Sequence, residues 1–403
     1  MKRCSFFLLV LLLLSAQTGW CGRKVTVAQL QDLLHSLHED KKSDVEIAAA
    51  LQQVELSEQL TRVVMNGLSN YSPGPLTTEQ IYVLQARSAN LLPPASDLPQ
   101  TPAPDAPAQQ AILTRAQNYI NKTYEQLPAL AARKTILRFQ DNTEALASSS
   151  GIASGAKDAV TSSGMSNPGN FLHYINAVAH PIVLEHGIVK KLSAKDSTRW
   201  GANGQIDISQ PDPGLPRVFK EAQASGTLHW VRWESINGKP AAVFSYEVPR
   251  QRSDLEVKVC CFPLIKQAGV ARFYTPSTGP VLGAEKASGG GGVAGNFQTN
   301  TDWHDFKASV PYHGSLFIDP ETGIVLRMIV ETDLKPSDVV HQLDTRIDYG
   351  PVKAGQGTFI VPVKSVINSV VVPNGESGAG GYSTRTTLFS SEYSEYRPAH
   401  SNQ

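Results

Sequence analysis

Apolar residues follow two different periods along this chain, and the change comes near residue 107. Over 24–92 the spacing is helical: Leu30, Leu33, Leu34 and Leu37 recur at i, i+3, i+4 and i+7. Ser43 followed by Glu46 forms a capping box, which opens a second helix with Ile47, Leu51 and Val54 on one face. The pattern predicts a third helix over 58–66, ended by Gly67, and a fourth opening at Thr77 and Gln80 with Ile81 and Leu84 inside. Short helices on short loops predict a small N-terminal bundle.

Residues 93–107, PPASDLPQTPAPDAP, read as a stiff, extended linker. One amphipathic helix follows over 108–126, with Ile112, Leu113, Ala116 and Ile120 on one face, and then a strand at 133–141. From there the period is two. Residues 227–248 read as a hairpin turning at Asn237-Gly238, with Ala242, Phe244, Tyr246 and Val248 on one face of its return strand. Residues 313–334 read as a second hairpin. Asp319-Pro320-Glu321-Thr322-Gly323 has the chemistry of a type I turn closing on a glycine bulge. Beyond that turn Ile324, Leu326, Met328 and Val330 are expected on an apolar face, against a mixed face of Val325, Arg327, Ile329 and Glu331.

Further strands are expected near 345–349, 358–372 and 383–389, with low-complexity loops at 148–164 and 285–298. Alternation over 255–262 puts Cys261 on the apolar side and Cys260 on the polar side, so the two thiols are expected to stay unjoined. The fold class predicted is α+β: a small helical bundle (24–92), a linker (93–107), and a large curved antiparallel sheet. That sheet is an open half-barrel with one packed helix, over 108–395, followed by a tail at 396–403.

Composition narrows the function classes. The 403 residues carry 36 Lys+Arg and 36 Asp+Glu, a zero net charge that gives no nucleic-acid footprint. Lys2 and Arg3, an apolar run from 6 to 14 and small residues after it make a secretory signal peptide over 1–22, too short for a span of ~20 residues. The expectation is an exported chain, periplasmic or extracellular, with no transmembrane segment after signal removal. Cleavage is expected after Ala16 or near Cys21, and Trp20 argues against lipidation of Cys21. Cys260 and Cys261 make neither a disulfide framework nor a CxxC metal pair.

Candidate chemistry is sparse. The glycines at 289–292 lack the Gly-Lys-Ser/Thr of a phosphate loop, and no Gly-x-Ser-x-Gly elbow or HExxH pair occurs. Asp302-Trp303-His304-Asp305 sets carboxylates beside an imidazole, a combination suited to metal binding or acid–base work, or to a solvated loop. No catalytic residue, metal ligand or cofactor is assigned. Trp230, Phe244 and Tyr246, with Trp233 beside them, are the candidate ligand-binding side chains; aromatics at strand spacing also suit plain sheet core.

The segments VAQLQDLLHSL, VELSEQL, WVRWESINGKPAAVFSYEVP and YHGSLFIDPETGIVLRM resemble bacterial secreted proteins that join a short helical region to a β domain. More distantly, the helix-then-meander order with GSLFIDPETGIVLRM looks like the lipoprotein-carrier sheets of the LolA and RseB type. That resemblance implies a curved, unclosed barrel wrapping a helix around an apolar cavity for acyl chains, and it carries over no binding residue. The favoured expectation is a non-enzymatic binding or interaction protein that shelters an apolar ligand, a lipoprotein or another acylated partner. Its N-terminal helices would dock a protein partner. The alternative is a cell-envelope hydrolase with its site near Asp302 and His304.

Overall fold

The computed structural model describes residues 23–141, 172–191, 213–263, 303–335, 338–371 and 385–399. Their contacts divide into two compact units, one ending at Leu92 and one beginning at Pro93.

The first unit runs β1 (Arg23–Val25), α1 (Val27–Glu39), α2 (Asp44–Gln52), β2 (Val54–Leu56), α3 (Arg62–Leu68) and α4 (Pro75–Arg87). Leu30, Leu34, Ile47, Leu51, Ile81 and Leu84 form its core, as the helical spacing requires. The capping box holds: Ser43 N–H donates to Glu46 Oε2 at 2.9 Å, and Glu46 N–H donates to Ser43 Oγ at 3.3 Å.

Three expectations are corrected here. Val54 leaves the helix and pairs through β2 with β1 in a short parallel ladder. The third helix begins at Arg62 and carries Gly67 inside it, and the fourth begins at Pro75. Pro75 can start a helix because its missing N–H is one of the donors a helix leaves free. The cap comes from elsewhere in the chain: the Asp44 carboxylate accepts from Leu76 N at 3.0 Å and Thr77 N at 2.8 Å. Gly74 leaves room for it, since a Cβ there would lie 2.5 Å from Asp44 Oδ2.

The second unit is an antiparallel sheet with helices on one face. α5 (Ala106–Glu125) leads into β3 (Leu130–Asp141), β4 (Leu172–Glu185) and β5 (Ile188–Lys191). α6 (Leu215–Ser225) then precedes the hairpin β6 (His229–Ile236) and β7 (Lys239–Val248). β8 (Glu256–Pro263) and β9 (Trp303–Ser309) pair separately. β10 (Tyr312–Ile318), β11 (Val325–Thr332), β12 (Val340–Ala354), β13 (Gly357–Val371) and β14 (Arg385–Pro398) complete the set. The ten-stranded sheet has the order β5-β4-β3-β14-β13-β12-β11-β10-β7-β6 and is not closed on itself. Both hairpin turns match their sequences. Asn237 and Gly238 take φ 51 and 78°, and Gly323 takes 75° with its N–H on Asp319 O at 2.9 Å.

The sheet curls around α5. Turns at Gly187 (β4–β5) and Gly323 (β10–β11) stand six strand spacings apart, ~29 Å on a flat sheet. Yet a Cβ on Gly323 would lie 2.5 Å from the Arg115 carbonyl carbon, and one on Gly187 2.2 Å from the Tyr124 ring. Those helix residues are nine apart, ~14 Å of rise. One short stretch of helix therefore touches two turns that flatness would keep apart.

A second helix also fills the concave side. The sequence pattern showed one packed helix; α6 adds Leu215, Val218, Phe219 and Ala222 to the same core as Ile112, Ala116, Ile120 and Tyr124 of α5. Two further expectations are corrected by bulges. β10 and β11 shift register at the turn, pairing Phe317 with Arg327 and Ile318 with Val325, so Leu326 is the extra residue. Val325 consequently joins Met328 and Val330 on the inner face, while Ile324 and Leu326 pack with Phe317 and Ile329 on the outer one. β8 shifts register between Cys260 and Phe262, which breaks the strict alternation expected across the two cysteines; their side chains lie outside the described residues, as do the loops 148–164 and 285–298.

Candidate functional site

The inner face of the sheet is the candidate site, and it has two chemically different halves. Near the helices it is apolar and filled. Phe244 is 1% exposed and meets Trp230 edge-on at 5.7 Å; Trp230 in turn meets Trp233 at 4.8 Å. Trp230 and Trp233 are half-buried on edge strand β6, and Trp233 Nε1 donates to Pro102 O at 2.9 Å, pinning the linker to this edge. Tyr246 is buried edge-on to Tyr312 at 5.9 Å and donates from its hydroxyl to Ile329 O at 2.7 Å. The three sequence-named residues thus share one face, with Phe244 and Tyr246 packed against neighbours and Trp230 reaching the sheet edge.

A polar latch holds α6 over this half. Tyr312 donates to Glu221 Oε2 at 2.8 Å, and burial raises the Glu221 pKa against the pull of that bond. Burial likewise drives the Tyr312 and Tyr246 hydroxyls well above the ordinary tyrosine range, so both stay as donors.

The other half, on β13, β14, β3 and β4, carries hydroxyls and cations. Ser365 Oγ lies 3.1 Å from the Tyr393 hydroxyl, and Ser369 Oγ lies 2.6 Å from Thr387 Oγ1. Lys134 Nζ stands 5.1 Å from the Tyr393 ring centre, and Arg138 Cζ 5.4 Å from the Phe389 ring centre. A single cross-strand row joins the halves. Ser391 faces Ser365, Ser365 faces Ile347, and Ile347 faces Met328. Met328 faces Leu316, which faces Phe244, which faces Trp230.

Sequence reasoning missed Lys134, Arg138 and Ser391. The first two stand four apart in a strand and so on one face, a visible signal. Their aromatic partners are more than 250 positions away, which no local pattern reveals. Asp302 lies outside the described residues. His304 belongs to β9, its backbone opposite Phe262, so this segment enters a strand at Trp303. Among the described residues, no group of three His, Cys, Asp or Glu side chains is arranged to hold a metal ion.

The outer face holds charge instead. Asp348 accepts from Arg327 Nε at 2.6 Å and from both Nε and an Nη of Arg346 at 3.2 and 3.1 Å. A shallow cleft of ≈ 330 Å³ opens where Ala131, Ala179 and Pro181 meet Arg133, Glu395 and Arg397. Arg133 and Glu395 pair there at 3.2 Å, both largely exposed.

No family model and no curated protein matches the chain. Two solved structures are similar to it at low superposition. A domain from Vibrio parahaemolyticus named for outer membrane lipoprotein sorting is 9% identical, covering 73% of this chain and 95% of its own, with a TM-score of 0.28. A LolA superfamily protein from Nitrosomonas europaea is 10% identical, covering 72% and 93%, with a TM-score of 0.23. At these values neither structure assigns a role to this chain.

Proposed function

We propose that this protein is an exported binding module that shelters an apolar ligand or an acylated partner against the inner face of its sheet. The observation that carries this reading is the curl of an unclosed ten-stranded sheet around α5, with one apolar core running along its concave side from β5 to β7. The helices fill most of that face, and at its β6 edge Trp230 and Trp233 stay half-buried, the kind of aromatic surface that lines ligand sites. Among the described residues, no helix is long and apolar enough to cross a membrane.

The N-terminal unit is proposed to dock a protein partner. Of the eight large hydrophobic side chains most exposed among the described residues, six belong to it: Val45, Val63, Leu76, Tyr82, Leu91 and Leu92. This concentration of exposed apolar side chains on one small unit supports that reading.

The test is titration of the purified protein with a fluorescent fatty-acid probe. Saturable binding, displaced by unlabelled lipid and weakened by Trp230→Glu, is expected. A folded protein that binds no probe leaves the protein-interaction role of the N-terminal unit standing and removes the ligand.

A further inference from the structure

The outer-face cleft of ≈ 330 Å³ opens where β14 bulges against β3. Ser394 pairs with Arg133 and Arg397 with Ala131, so two residues of β14 stand against one of β3. Tyr396 takes the inner side of that bulge and is buried in the core, while Glu395 lines the cleft. Glu395 does so at φ 55°, a backbone conformation that a residue with a Cβ adopts rarely. The bulge thus re-aims a carboxylate that strict alternation would place differently.

The floor of the cleft is compact and apolar. Ala131, Ala179 and Pro181 leave a depression because Arg133, Glu395 and Arg397 around them are long. Those three charges are unequally used. Arg133 Nη1 donates to Glu395 Oε1 at 3.2 Å, which leaves Oε2 open. Among the described residues Arg397 has no hydrogen bond or ion pair. One open carboxylate oxygen and one open guanidinium, on residues two apart, therefore border an apolar depression.

We propose that this cleft binds a free α-amino acid with a branched apolar side chain. The ligand's ammonium donates to Glu395 Oε2, and its carboxylate accepts a two-bond fork from Arg397. Its side chain covers Ala131, Ala179 and Pro181. The cleft volume stands near the lower end of the about 300–1,000 Å³ usual for ligand pockets, which suits a body of this size. A plain carboxylate would bring its charge beside Glu395 with nothing to offset it, and a plain amine would do the same beside Arg397. The site lies on the face opposite the apolar shelter and is independent of that reading.

The experiment is calorimetric titration of the purified protein with leucine, glycine, 4-methylpentanoate and 3-methylbutylamine. The last two are leucine without its ammonium and without its carboxylate. Titrations are repeated on Arg397→Gln, Glu395→Gln and Glu395→Gly, with near-ultraviolet circular dichroism to confirm folding. Glycine at 395 suits the positive φ, so that variant removes the carboxylate without straining the bulge. Leucine is expected to bind saturably in the millimolar range, and glycine and both single-charge analogues about fivefold or more weaker. Each substitution is expected to weaken leucine by a similar factor. Equal affinity for leucine and either single-charge analogue overturns the zwitterion assignment, and equal affinity for glycine overturns the apolar floor. Leucine binding that survives both Arg397→Gln and Glu395→Gly places the ligand elsewhere and sinks the site. No heat from leucine at tens of millimolar does the same.

Discussion

Tyr246 reaches the carbonyl of Ile329, at 2.7 Å, across its own strand partner Gly314. The glycine is what makes room: a Cβ at 314 would stand 1.9 Å from Ile329 O and 2.8 Å from the Tyr246 hydroxyl. One missing side chain thus lets a tyrosine on β7 bind the backbone of β11, two strands away. Replacing Tyr246 with Phe should cost about 1–2 kcal/mol, the loss of one buried hydrogen bond. Gly314→Ala should cost about 3 kcal/mol or more, because the obstacle is backbone and does not yield. Urea unfolding of the two variants checks the order; a neutral Gly314→Ala would show that the close approach does not exist.

Gly323 presses the β10–β11 turn onto α5, where Arg115 Nε also donates to Pro320 O at 2.9 Å. Gly323→Ala meets both a φ of +75° and the Arg115 backbone, and should lose about 3 kcal/mol. Arg115→Ala removes an exposed bond and should lose under about 1 kcal/mol. Comparable losses in the two variants would show that the backbone contact is not what seats the helix.

Asp348 sits between Arg327 and Arg346, all three side chains less than a fifth exposed. Burial alone would raise its pKa; the two guanidiniums and their hydrogen bonds outweigh that and hold it well below the ordinary carboxylate value. A depressed folded pKa means stability that is present above the unfolded value and lost as the pH falls through the folded one. Asp348→Asn should cost about 3–5 kcal/mol near neutrality by removing the buried charge that both guanidiniums share. The penalty should shrink in acid, measured as the gap between parent and variant unfolding midpoints at falling pH.

His313 lies 3.3 Å from Glu331 and 2.9 Å from Asp333. The bond to Glu331 leads, burial opposes it and the charge of Asp333 adds to it, raising the imidazole from 6.5 to about 9. The folded pKa exceeds the unfolded one, so this stabilisation is complete below about 6.5 and disappears as the pH rises through about 9. All three partners are a third or more exposed, so the worth is under about 1 kcal/mol after screening. A ¹H–¹⁵N titration of the ring should place its midpoint above 6.5; a midpoint at or below 6.5 would show that neither carboxylate holds it.

Signals between near neighbours along the chain set local structure. Ser43 and Glu46 start a helix because the cap is made within four residues, and Asn237-Gly238 turns a hairpin because both positions demand positive φ. The Phe244 and Tyr246 stripe was legible because strand side chains alternate whatever they later pack against. Tertiary structure decided the rest. Alternation continues through 324–331 on paper, but pairing with β10 inserts a bulge at Leu326 and sends it to the opposite face from Met328. The cap of α4 comes from Asp44, more than 30 positions earlier, so the sequence around Thr77 could not place its start. Ser391, Lys134 and Arg138 form one patch because β14 returns beside β3 across most of the chain's length. Strand identity is set by neighbours in sequence, whereas what a strand faces is set by pairing, and pairing joins residues that share no local pattern.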